Sequence, residues 1–194
     1  MKETRQKILA KNYESIHRYG FQGTRTDTVI EDLGITKGAF YHYFANKQEL
    51  GYAVIDEILA PSYIGLWRRL DNYETNPLDG IIEILTDFKE KFNESDIKLG
   101  SPLTNLINEM AGLDEGFQSR LARIVDEIVA AVVRTLERAA DQFQLASLIN
   151  PEQTGLFIVA SVEGSFTVGK AHQSKAAFDQ SIDQLIRYIR AIKR

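Results

Sequence analysis

Few stretches of this 194-residue chain carry residue types at a spacing that could do chemistry. The run GSFTVGK, Gly164 to Lys170, has the spacing G-x-x-x-x-G-K of a loop whose backbone amides cradle phosphates. Three features oppose that reading. Ala171 stands where a Ser or Thr hydroxyl would bind magnesium, no other strand signal exists to build a sheet, and Asn150-Pro151 upstream opens a helix instead. His17, His42 and His172 are too scattered for metal-ligand spacing, and neither HExxH nor GxSxG occurs. Asp114-Glu115 is a pair of neighbouring carboxylates, but at a helix start such a pair complements the helix dipole. The absence of cysteine removes disulfides, thiolate catalysis and Cys-ligated zinc. Catalysis has no positive support, and no cofactor or metal is expected.

The stretch that does call for a partner is TKGAFYHYFANK, Thr36 to Lys47, with five consecutive rings from Phe40 to Phe44. Successive residues of a helix lie about 100° apart, so the five cannot share one face. With Phe40 and Phe44 turned to a core, Tyr41 and His42 face away from it. Tyr41, His42 and Tyr43 can donate hydrogen bonds to phosphates while their rings rest on sugars or thymine methyls. Thr36, Lys37, Gly38 and Ala39 are small or polar, which lets a helix backbone approach base edges. Lys47, at the start of the next helix, adds a phosphate contact together with that helix's N-terminal dipole.

Composition permits this reading. Net charge is −4, yet residues 1–50 carry eight basic against six acidic side chains, and residues 51–194 carry fifteen against twenty-one. A basic end on an acidic body suits a polyanion-binding head on a separate platform. Hydrophobic residues at 44% and charged residues at 26% are ordinary for a folded chain. No signal peptide or membrane-spanning run is evident, which points to a cytoplasmic protein.

The elements that must position these residues are helical nearly throughout. Ile8, Leu9, Tyr13 and Ile16 mark a first helix that Gly20 can end. Thr24 with Asp27 reads as a capping box for a short second helix bearing Val29, Ile30 and Leu33. Gly34 breaks the chain and Thr36 caps the aromatic third helix. A longer fourth helix follows, with Pro61 expected to kink it. Asn76-Pro77, Ser101-Pro102 and Asn150-Pro151 each place a capping residue before a proline and so open further helices. The expected fold is all-α, about nine helices: a helix-turn-helix head over residues 1–47, and a body over residues 48–194, connected by the helix 48–70.

At this point the chain also resembles a known family. TRQKIL and YGFQGTRTDTVIEDLGITKGAFYHYFANKQEL, within residues 4–55, are similar to the DNA-binding head of TetR/AcrR transcriptional regulators. The resemblance places Thr26, Lys37, Ala39, Tyr41, His42, Tyr43 and Lys47 where family members contact operator DNA. Asp27 departs from it, standing where some relatives carry a base-reading Arg, so any base readout from the second helix falls to Arg25. Asn12 departs too, at a position usually small and apolar. Some look-alikes open the sixth helix with a reactive Gly-Cys pair; here the stretch is Gly100-Ser101-Pro102, with Ser101 read as an N-cap.

The resemblance further implies dimerisation through the last two helices, residues 151–170 and 175–193. Small residues at four-residue spacing (Ala160 and Gly164, Ser161 beside them) suit a close helix contact, and Val168, Phe178, Ile182, Leu185 and Ile189 complete the expected dimer surface. Close packing within one subunit is the alternative. An effector cavity is expected among Tyr63, Leu66, Trp67, Asn105, Glu109, Phe157, Glu163 and Phe166, which combine apolar walls with a few polar groups; plain core is the competing reading. The chain is thus expected to be a homodimeric regulator of transcription, a repressor released from a palindromic operator on double-stranded DNA by a small molecule. A DNA-binding regulator without an effector and a P-loop enzyme using Gly164 to Lys170 are the rival readings.

Overall fold

The computed structural model describes residues 2–73, 75–142 and 144–194, Lys2 by its backbone alone. Eleven α-helices follow in order: α1 (Lys2–Gly23), α2 (Thr26–Asp32), α3 (Lys37–Tyr43), α4 (Lys47–Val54), α5 (Ala60–Arg68), α6 (Pro77–Lys91), α7 (Glu94–Leu99), α8 (Pro102–Met110), α9 (Glu115–Asp141), α10 (Pro151–His172) and α11 (Lys175–Ile192). Among the described residues the only β pairing is an isolated antiparallel bridge between Leu145 and Lys193. A π-helical turn over Ile55–Leu59 joins α4 to α5, so these two make the single long helix expected there. With that helix counted once, all nine expected helices are present and α7 is an addition.

The expected kink at Pro61 takes the form of that π turn. Proline offers no N–H to the carbonyl of Glu57, and its ring crowds the preceding turn. Widening the turn relieves the crowding: the Ala60 N–H bonds the Ile55 carbonyl, five residues back. The caps also follow sequence. Asn76 accepts from the Leu78 N–H at 3.0 Å, and Asn150 from the Gln153 N–H at 2.8 Å. α7 carries a full capping box between Asn93 and Asp96.

One expected cap is absent. Arg25, not Thr24, is the N-cap of α2, and its side chain makes no capping bond. Thr24 is buried, and its hydroxyl donates to the Gly20 carbonyl at 2.7 Å. Gly20 itself breaks α1 as expected, at φ 78 and ψ 166, but the helix resumes for one short turn to Gly23.

The chain folds as two compact units, divided otherwise than at residue 47. The first gathers Met1–Ser62 with Pro102–Arg123, and the second gathers Tyr63–Ser101 with Ile124–Arg194. In the first unit Ile8, Ile16, Val29, Phe40, Phe44, Leu50 and Val54 are buried. In the second, α10 and α11 lie together, and Ile81, Leu85, Ile128, Val132, Ile158, Phe178 and Ile182 are buried.

Candidate nucleic-acid interface

α2 and α3 are joined by a tight turn at Gly34. Its φ of 63 is in the left-handed region that favours glycine, and the turn closes as a Schellman motif. Its two bonds run from the Gly34 N–H to the Glu31 carbonyl (3.0 Å) and from the Ile35 N–H to the Ile30 carbonyl (3.2 Å). Thr36 then caps α3, its hydroxyl accepting from the Ala39 N–H at 3.1 Å. The aromatic run divides as its period requires. Phe40 is 0% exposed, with Phe44 buried beside it at a ring separation of 6.2 Å. Tyr41 is 49% exposed, its ring set edge-on against Phe40. His42 is also exposed and Tyr43 half-buried.

The other expected contact residues gather on the same unit. Arg25, Thr36, Lys37 and Gly38 are exposed, with Thr26 and Ala39 half-buried. Arg25, Thr26, Asp27, Thr28, Glu31 and Tyr41 line a surface depression of about 500 Å³. Asp27 pairs with Lys37 at 2.9 Å across the first turns of α2 and α3, and this hydrogen bond raises the lysine pKa above its ordinary value. Asp27 therefore places an ion pair on the exposed face.

Lys47 is turned partly inward. Its ammonium donates to the Gln22 carbonyl at 3.1 Å and lies 4.9 Å from the centre of the Phe21 ring. Burial lowers its pKa. An ammonium has three donors, so one bond to a carbonyl leaves others for a phosphate. Lys47→Ala is expected to weaken DNA binding and to make the slope of log affinity against log salt shallower by about 0.9 per half-site. An unchanged slope on folded protein would leave Lys47 only the carbonyl bond.

The expected effector residues do not gather in one unit. Asn105 and Glu109 belong to the first, and the other six to the second. The Glu109 carboxylate is engaged within the first unit, accepting from the backbone N–H groups of Phe21 and Gln22. Trp67 is 3% exposed and packs edge-on with Phe88. Phe166 meets Phe88, Phe92 and Phe178 at ring separations of 6.0, 5.1 and 4.7 Å. These rings fill the core where an open wall was expected. Tyr63 and Ser101 share a hydrogen bond of 3.0 Å. Leu66 and Glu163 are half-buried. Phe157 is half exposed and packs against Tyr188.

The expected dimer residues separate into two sets. Leu156, Ala160, Gly164 and Val168, four apart along α10, are all exposed, with Ser161 half-buried beside them. A Cβ built on Gly164 meets nothing within 4 Å. Phe178, Ile182, Leu185 and Ile189 point the other way, 0–4% exposed in the subunit's own core, and so are not on that surface. The outward side of α11 carries Ala177, Ser181, Gln184 and Arg187 instead, which with Val168 and His172 line a shallow concavity of about 870 Å³. The four-residue spacing that marked Ala160 and Gly164 extends back to Leu156, whose apolar side chain is 57% exposed and does not belong to the buried face of α10. Gly164 to Lys170 lie inside α10, where the backbone amides bond their own helix, so no phosphate-cradling loop exists there.

Comparison with known proteins agrees with this geometry. Residues 8–54 match the family of bacterial regulatory proteins of the tetR type. Residues 77–185, more than half the chain, match the tetracyclin repressor-like C-terminal domain. An uncharacterised HTH-type transcriptional regulator of Lactococcus lactis is 24% identical over 190 residues, covering 95% of this chain and 92% of that protein. The transcriptional repressor NemR of Escherichia coli is 24% identical over 172 residues, covering 89% and 86%. The crystal structure of reduced E. coli NemR superposes with a TM-score of 0.86 at 22% identity, over 99% of this chain and 97% of that one. A regulator from Chloroflexus aurantiacus gives a TM-score of 0.85 at 20% identity, over 100% and 97%. A helix-turn-helix unit with an exposed aromatic face, matched on both its head and its body, places this chain in the TetR family of DNA-binding transcriptional regulators.

Proposed function

We propose that the protein is a homodimeric, cytoplasmic repressor that binds a palindromic operator and is released from it by a small molecule. The observation that carries the dimer is the open stripe Leu156, Ala160, Gly164 and Val168, which the lone chain leaves facing solvent. Two heads related by a two-fold axis read an inverted repeat, because operator symmetry mirrors protein symmetry. A ligand relieves repression only by binding the released form more tightly than the DNA-bound one. The test is sedimentation at micromolar concentration combined with footprinting on the gene's own upstream DNA. A monomer, or a footprint without an inverted repeat, would refute it.

A second reading is a TetR-family regulator with no small-molecule effector. The packed rings of Trp67, Phe88, Phe92, Phe166 and Phe178 favour it, since two of the expected wall residues, Trp67 and Phe166, are taken up in that cluster. A panel of apolar and amphipathic compounds distinguishes the two: reversible release with a change in Trp67 fluorescence supports the first, and no release by any compound the second.

Whatever the signal, sulfur chemistry does not carry it. The chain has no cysteine, Ser101 is buried at the start of α8, and Met110 is only 6% exposed. Serine has no comparable ionised fraction near neutral pH. Peroxide or an electrophile is expected to leave operator affinity unchanged, as read by gel shift and intact mass. Release with a stable adduct would overturn this.

A further inference from the structure

The corner between α1 and α2 is held from outside by a carboxylate whose task no helix pattern reveals. Gly20 stops α1 with a positive φ, so the short turn that resumes at Phe21 has amide groups needing acceptors. Both oxygens of Glu109, in the last turn of α8, supply them. Oε2 accepts from the Phe21 N–H at 2.7 Å, and Oε1 from the Gln22 N–H at 2.8 Å, across 88 and 87 residues of chain. The approach is close enough that a Cβ on Gly20 would lie 2.9 Å from each oxygen.

The same peptide segment is gripped on its other side. The Gln22 carbonyl accepts from Lys47. The Phe21 ring packs on Phe117 with centroids 4.6 Å apart, and a Cβ on Gly51 would come within 2.6 Å of both rings. Three residues beyond Gln22 stands Arg25, the first of the exposed contact residues, and α2 and α3 follow it.

We propose that Glu109 is a positioning residue for the DNA-reading face: by capping the Phe21-Gln22 amides it fixes the α1–α2 corner and, through it, the pose of α2 and α3. The proposal rests on the DNA-binding reading of that face. Glutamate suits the task because an ionised carboxylate only accepts, and it offers two oxygens to two successive amides. Glutamine keeps one acceptor but sets its own NH₂ against the second amide. A neutral group of the same shape therefore restores only part of the function.

The experiment compares the wild type with Glu109→Gln and Glu109→Ala on an operator fragment and on random-sequence DNA of equal length, well below the unfolding midpoint of each protein. Affinity for random DNA depends on phosphate contacts and tolerates a shifted head, whereas operator affinity requires base edges in register. Glu109→Ala is expected to lower operator affinity about tenfold, close to the worth of a single charge-assisted hydrogen bond, with random-DNA affinity changed less than about twofold. Glu109→Gln is expected to fall between, and amide exchange at Phe21 and Gln22 is expected to accelerate in both variants. If operator and random-DNA affinities fall together, or neither changes, Glu109 serves only the stability of the fold and the proposal is wrong. A wild type that does not tell operator from random DNA would instead defeat the underlying reading.

Discussion

Gly164→Leu is expected to yield a folded, stable monomer whose operator affinity is lower by about 10²–10⁴-fold, the contribution of a linked second binding head. The subunit itself has room for the change, since a Cβ at Gly164 meets nothing within 4 Å. Within a helix the substitution also removes the backbone-entropy cost of glycine, which favours the helix by about 0.5–1 kcal/mol. The effect is therefore confined to association: the new side chain stands in the middle of the open stripe and holds a second helix away. Gly155→Leu is the contrasting variant on the same helix. There a Cβ would come within 2.6 Å of the Val133 side chain, so that substitution should damage the subunit's own fold. Sedimentation and circular dichroism separate the two cases. A Gly164→Leu protein that stays dimeric with wild-type operator affinity would remove α10 from the interface.

Neighbouring residues on α3 should fail in opposite ways. Phe40→Ala empties a fully buried site and is expected to destabilise the first unit by about 3–5 kcal/mol, abolishing DNA binding by unfolding the head. Tyr41→Ala is expected to leave the melting temperature nearly unchanged, because half of that side chain already faces solvent. It should still weaken operator binding by about 5–30-fold, the worth of roughly 1–2 kcal/mol for a phosphate hydrogen bond and its ring contact. Thermal melts beside DNA titrations read both outcomes. Equal losses of stability in the two variants would show that Tyr41 belongs to the core, and the exposed aromatic face would lose its meaning.

Local rules fixed much of this in advance. Helix period alone separated Phe40 and Phe44 from Tyr41 and His42, because side-chain direction depends only on neighbours three and four residues away. Gly34, Thr36, Asn76 and Asn150 marked turns and caps for the same reason: each acts on backbone groups within a few residues. Pro61 announced a distortion, and only its form as a π turn had to be seen. α7 escaped notice because six residues hold a single fully buried apolar side chain, Ile97, which is too little for a period. What the sequence could not decide was every pairing between distant segments. Glu109 looked like a polar cavity residue until its carboxylate was found on amides 87 and 88 residues away. Lys47 looked free to meet phosphate, yet it also holds the Gln22 carbonyl. On α11 the periodic residues Phe178, Ile182, Leu185 and Ile189 mark an apolar face equally well whether a partner or the subunit's own core covers it. The same ambiguity let Trp67 and Phe166 pass for cavity walls before their rings were seen packed together with Phe88. Periodicity records that a face is buried; which surface buries it is a property of the tertiary structure.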